Sequence, residues 1–170
     1  AIGYIALRSL TTGIYSVAVG NYAAYLTTTG SRTTAIGYNA LGSNTTGNDN
    51  TALGAQALDT STTGSNNVGV GASALTANTT AGWNTGVGFR ALTSNTTGTP
   101  NTAVGSDALR DNATGNDLTA VGSGALAANT GSNNTAVGRN ALAANTTGTG
   151  NTGVGKDSLK ANTTANNNTA

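Results

Sequence analysis

One unit of seventeen residues is written through the chain from end to end, and nothing else in it restricts the fold so tightly. The motif A-[VIL]-G, with Gly sometimes replacing the Ala, places its glycine at Gly3, Gly20, Gly37, Gly54, Gly71, Gly88, Gly105, Gly122, Gly138 and Gly155. Eight of the nine intervals are 17 residues and one is 16. A fixed period this short makes each repeat one structural unit that buries its apolar side against its neighbours. Such a chain is built for length. It is poorly suited to a single pocket, which needs residues that differ from their copies.

The composition agrees. Charged residues are 8% of the chain and the net charge is +1, against about 25% charged in an ordinary globular domain. No basic patch points to nucleic acid. The 25 glycines and the many Asn and Thr could suit a disordered segment. Disorder, however, does not require an aliphatic residue at the same place in every copy. Cys, His, Met and Glu are absent, which removes disulfides and thiol or imidazole metal ligands. No catalytic residue, cofactor or metal is therefore expected, and the chain is read as non-enzymatic. No run of about 20 apolar residues exists to cross a membrane. With no initiator Met or signal peptide, the chain reads as a segment of a longer polypeptide or a processed subunit.

The consensus is N-T-A-V-G-x-x-A-L-x-x-N-T-T-G-x-x, and positions are counted here from the Ala of A-V-G. Position two is Ile2, Val19, Ile36, Leu53, Val70, Val87, Val104, Val121, Val137 and Val154. Position seven is Leu7, Leu41, Leu58, Leu75, Leu92, Leu109, Leu126, Leu142 and Leu159, with Ala24 the exception. These two columns are the expected core. T-A-V is too short for a helix and rich in β-branched residues, so it predicts a strand. Strand side chains alternate, so Thr102 and Val104 share one face and Ala103 takes the other. A-L predicts a second short strand, and N-T-T-G a second corner. The expectation is an all-β, parallel β-solenoid or β-roll of ten coils, about 48 Å long at about 4.8 Å per coil. It forms one array over residues 1–170, with an atypical, more aromatic start at 1–34.

Position one is Ala18, Ala35, Ala52, Gly69, Gly86, Ala103, Ala120, Ala136 or Gly153 in successive copies, and nothing larger ever appears. Crowding inside one narrow coil would explain this, and so would a second backbone passing close outside. The second reading makes these residues a lateral interface between copies of the chain, most simply around a three-fold axis. The repeated Asn at positions ten and sixteen are open to two readings as well: amide ladders along the axis, or plain turn preference.

The unit N-T-A-V-G-x-x-A-L-x-x-N-T-T-G resembles repeats of phage and bacterial tail-fibre-like surface proteins. More loosely it resembles the heads of trimeric autotransporter adhesins, whose shorter S-V-A-I-G-type unit folds as a parallel β-roll in a homotrimer. The resemblance covers the whole chain and is best at segments such as Thr102-Ala103-Val104-Gly105. It implies that Thr102 and Val104 point inward and that Ala103 faces neighbouring chains. It also implies an extracellular fibre, stalk or adhesin at a cell or virion surface. The 17-residue period departs from that family's shorter one.

Motifs that suggest chemistry dissolve in context. Gly69-Val70-Gly71-Ala72-Ser73-Ala74 and Gly86-Val87-Gly88-Phe89-Arg90-Ala91 match a dinucleotide fingerprint, but no helix follows. Asp49, Asp59, Asp107, Asp111, Asp117 and Asp157 form no calcium-binding run, and Arg110 beside Asp111 suggests a salt bridge. The N-T-T triplets, such as Asn44-Thr45-Thr46, are glycosylation sequons whose number follows from the repeat.

The leading expectation is therefore a structural extracellular fibre or stalk segment that assembles with copies of itself, laterally or end to end. One alternative is an ice-binding solenoid, carried by the Thr columns at positions eleven and twelve. Another is a carbohydrate-binding adhesin fibre, with Tyr4, Tyr15, Tyr22, Tyr25, Tyr38, Trp83 and Phe89 as contacts for a surface glycan.

Overall fold

A computed structural model describes residues 1–170. It contains no helix. Nine short strands form one parallel sheet in sequence order: β1 (Val17–Val19), β2 (Thr34–Ile36), β3 (Thr51–Leu53), β4 (Val68–Val70), β5 (Asn84–Val87), β6 (Asn101–Val104), β7 (Leu118–Val121), β8 (Thr135–Val137) and β9 (Thr152–Val154). Each strand pairs with the equivalent residues of the next turn, Val17 with Thr34, Ala18 with Ala35 and so on. Single bridges from Ile2 to Val19 and from Thr152 to Thr169 extend the ladder at both ends. The chain is thus a parallel β-solenoid with one strand per turn.

Most of the cohesion lies outside that sheet. Of 115 backbone hydrogen bonds, only 19 lie within the strands. The rest run largely from coil to coil around the circumference. Amides at position seven donate forward, as Leu41 N does to the Ala57 carbonyl at 3.0 Å. Amides at position three donate backward, as Gly37 N does to the Val19 carbonyl at 2.8 Å. Buried peptide groups find partners partly in neighbouring copies and partly within their own corner, as Asn44 N does at the Leu41 carbonyl, so the buried backbone is satisfied as it must be.

The A-L segment is not the expected second strand. Leu41, Leu58, Leu75, Leu92, Leu109, Leu126 and Leu142 all take a left-handed conformation, with φ of 51–53°. Leu7 and Leu159 do likewise. The reason is geometric. Strand side chains alternate sides, so a strand could bury Ala or Leu but not both. Here both are fully buried, as at Ala108 and Leu109. The left-handed residue turns the chain between them and brings both side chains inside.

Alternation does hold in the sheet, but with the opposite phase to the one expected. In β6 the side chains of Asn101 and Ala103 are buried while those of Thr102 and Val104 are exposed. Every position-one residue from Ala18 to Gly153 lies inside: Ala18, Ala35, Ala52, Gly69, Gly86, Ala103, Ala120, Ala136 and Gly153. These residues cannot be a lateral interface. The position-two column faces outward. Val104 is 37% and Leu53 44% exposed; Ile2, Ile36, Val121, Val137 and Val154 are exposed too, and Val19, Val70 and Val87 half-buried. This column is not core. The cause is the width of the coil. A Cβ built on Gly69 would lie 3.3 Å from Leu58 Cγ, and one on Gly86 3.3 Å from Leu75 Cγ. The position-seven leucine of the preceding coil fills the interior from the opposite wall, leaving room for a methyl group and nothing larger.

The interior is thus an apolar zone of Ala and Leu flanked by asparagine. Leu41, Leu58, Leu75, Leu92, Leu109, Leu126 and Leu142 are fully buried, and Leu7 and Leu159 pack partly buried at the ends. Both Asn columns form ladders. At position ten, Asn95 Nδ2 donates to Asn78 Oδ1 at 3.1 Å and Asn112 Nδ2 to Asn95 Oδ1 at 3.2 Å. The same Nδ2 groups also donate to the position-thirteen carbonyl of their own corner, as Asn95 does to Gly98 at 3.1 Å. At position sixteen, Asn84 Oδ1 accepts from the backbone amide of Asn101 at 3.0 Å, while Asn84 Nδ2 donates to the Gly98 carbonyl at 2.9 Å. Buried amides need this satisfaction, since an unpaired one costs about 1–3 kcal/mol.

One rung is broken. Ser61 occupies position ten between Asn44 and Asn78, and its hydroxyl and Asn44 Oδ1 are both buried without a partner. The serine is too short to reach the rung below. Ser61→Asn should restore both contacts and add about 1–3 kcal/mol of stability, raising the melting midpoint by roughly 3–8 °C in a circular-dichroism melt. An unchanged midpoint would mean that the amide ladder contributes little to cohesion.

The single 16-residue interval spans Gly122 to Gly138. The residue lost is the second Thr of the N-T-T corner, a position exposed in other coils, as at Thr46, Thr63 and Thr97. Register is intact beyond it, with Ala120 facing Ala136. Exposed corners absorb length changes that the interior cannot.

Candidate functional surface

The side chains pack the cross-section shut. No cavity or cleft opens in the molecule, and no three acidic side chains gather into a cluster. Any functional site must therefore be a surface, and the outside of the solenoid carries three kinds.

The first is a set of ion pairs, two of them bridging neighbouring coils and the others within one coil. Arg32 grips Asp49 through two hydrogen bonds of 2.6 and 2.7 Å. The hydrogen bond from Arg32 holds the Asp49 carboxyl below its usual range. Arg90 faces Asp107 at 3.6 Å, one coil apart. Arg110 pairs with Asp111 at 2.8 and 2.6 Å, the contact its sequence neighbour suggested; its hydrogen bond lowers the Asp111 carboxyl. Asp157 is lowered first by a hydrogen bond from Asn140 and then by Lys160. Asp59 moves the other way, because burial pushes its carboxyl up. Asn39 Nδ2 donates to it at 2.6 Å. Exposed pairs of this kind contribute little stability, and they are distributed along the rod rather than converging on one point.

The second is aromatic. Tyr22 sits edge-on to Tyr4, Tyr25 and Tyr38 with ring centroids 5.9, 5.8 and 6.1 Å apart. Arg8 lies 6.0 Å over the Tyr25 ring. Four of the early aromatics therefore form one cluster. Tyr15, Trp83 and Phe89 take no part in it and are exposed separately. Perpendicular rings present edges to each other and no shared plane on which a sugar ring could lie.

The third surface was not anticipated in the sequence. It is the outer face of the sheet, positions seventeen and two. Position seventeen is Val17, Thr34, Thr51, Val68, Thr85, Thr102, Thr119, Thr135 and Thr152, and position two is Val, Ile or Leu throughout. None of these residues is charged. The signal lies in the restriction of both positions to β-branched and aliphatic residues, a restriction that burial would produce equally well.

The threonines at position eleven are different. Their hydroxyls are spent inside the protein: Thr28 Oγ1 donates to the Thr45 carbonyl at 3.0 Å, Thr45 to Thr62 at 3.0 Å and Thr96 to Ala113 at 3.0 Å. That column acts as mortar between coils rather than as a surface array. Position twelve is exposed, on the corner. The two columns expected to act together as an ice-binding array are thus separated in role.

No protein-family model matches this chain, and neither a curated protein nor a solved structure does.

Proposed function

We propose that the chain is a rod-like structural segment of an extracellular fibre or stalk, displayed on a cell or virion surface. The observation that carries this reading is the hydrogen bonding of each coil to the next around the whole circumference, with amide ladders inside. Tension or bending is then shared over many bonds per coil. Stability in such arrays is a sum of coil and neighbour terms, so length can grow without redesign. The ion pairs between coils add lateral registry on the outside. The small residues that would have met a neighbouring chain fill the solenoid's own interior, so any lateral association of copies would use another face.

Two measurements test the reading. Duplicating residues 86–119 inserts two repeats and should lengthen the particle by about 9.6 Å in small-angle scattering at constant cross-section. Immunogold labelling of the native protein should decorate filaments outside the cell or on virions. A particle that widens instead of lengthening, or a label confined to the cell interior, would overturn it.

A further inference from the structure

We infer that the outer face of the sheet, the paired columns at positions seventeen and two, is an ice-binding surface. Three observations lead there. First, two threonine columns share one fold and differ in a single respect. The position-eleven hydroxyls are consumed by backbone carbonyls, whereas Thr34, Thr51, Thr85, Thr102, Thr119, Thr135 and Thr152 make no side-chain hydrogen bond within the protein and stand outside. Second, position two lies at the surface yet never becomes polar in any copy. An exposed position under no demand drifts towards polar residues. Third, the strands pair residue for residue over the whole sheet, so methyl groups and hydroxyls form two straight rows at about 4.8 Å per rung, some 6.7 Å apart across the strand.

A surface with a short, fixed repeat selects a ligand with a repeat. The rung spacing is close to that of oxygen rows on hexagonal ice. Methyl groups of Val104 or Thr102 hold water in cages around apolar surface, and the free threonine hydroxyls anchor those waters by hydrogen bonds. Charge would disorder that layer, and the strip has none. A crystalline polysaccharide would call for coplanar aromatic rings, and no aromatic residue occupies either position. A second copy of the chain is the competing occupant, and the test below separates the two.

The test uses the intact protein in nanolitre osmometry with microscopy of the ice crystal. The wild type should shape ice and lower its growth temperature. Thr102→Tyr and Thr119→Tyr, which break the strip with a bulky group that still folds in a strand, should each reduce that activity severalfold. Thr46→Tyr, on the exposed corner, should leave it unchanged, and thermal melts should show all three variants folded. A wild type that leaves ice growth unaltered overturns the inference. So does equal loss on Thr46→Tyr. Sedimentation provides the remaining arm: a wild-type dimer that dissociates in the strip variants, with no ice shaping, would assign the face to another copy of the chain. None of these outcomes bears on the fibre reading, which rests on length and location.

Discussion

Replacing Ala103 with lysine will open the middle of the solenoid, whereas the same replacement at the adjacent Val104 will be tolerated. Ala103 is fully buried and Val104 is exposed. The interior at Ala103 is bounded by the opposite leucine wall, as the 3.3 Å approach of Leu75 to a Cβ on the equivalent Gly86 shows. A lysine there must displace that wall and bury an unpaired ammonium. The expected cost is more than about 4 kcal/mol, a fall of roughly 10 °C or more in melting midpoint. Because each coil contacts only its neighbours, the damage should be local. Hydrogen exchange should show lost protection in β5 to β7 and native protection in β1 and β2. Val104→Lys points into water and should cost under about 1 kcal/mol. If Ala103→Lys melted like the wild type and Val104→Lys did not, the inside and outside of the sheet would have to be exchanged.

A single methyl group at Gly105 should be nearly as damaging. Gly105 has a φ of 135°, and a Cβ on it would come within 2.6 Å of the Gly122 carbonyl carbon and oxygen. Both terms are severe: a backbone conformation that L side chains rarely adopt and a collision with backbone that cannot move without breaking the stack. Together they predict a loss of about 2–6 kcal/mol for Gly105→Ala. Gly155 separates them. Its φ is 126°, but nothing lies within 4 Å of its Cβ site, so Gly155→Ala should show only the conformational part, about 1–3 kcal/mol. Gly69→Ala should have the opposite sign. Gly69 lies in β4 with an ordinary strand conformation, and its nearest obstacle is the Leu58 side chain at 3.3 Å, which has to give by only a few tenths of an ångström. Other coils already hold Ala at that position, so the change should stabilise by up to about 1 kcal/mol through reduced chain entropy. Denaturant titration of the three variants gives the ranking; a Gly105→Ala protein as stable as the wild type would mean that the coils are not stacked this closely.

Several parts of this architecture were legible before any coordinates. The 17-residue interval sets which residues are neighbours, and Val17 pairs with Thr34 because nothing else in the chain repeats at another distance. The leucine column was read as core, and Leu109 and its equivalents are fully buried. Glycine stands at position three in every copy, and there the backbone takes a φ that only glycine adopts readily, as at Gly105. The asparagine ladders were one of two open readings, and Asn95 on Asn78 decides for them. The second strand at A-L was misread, because periodicity cannot reveal a left-handed residue. Leu is a poor occupant of that region, and the conformation is held by packing on both sides.

The repeat by itself determined that this protein is a stack, where its coils meet, and which copies touch, because register in a parallel ladder follows directly from the period. It could not determine which side of each strand is the inside. Alternation leaves two phases with identical local chemistry, and the apolar content of Val104 argued for the wrong one. Only closure of the coil chose, since Leu and Ala from the far wall had already filled a lumen too narrow for valine. The same closure left the valines and threonines outside in two straight rows, which is why the surface inferred to meet ice became visible only in three dimensions.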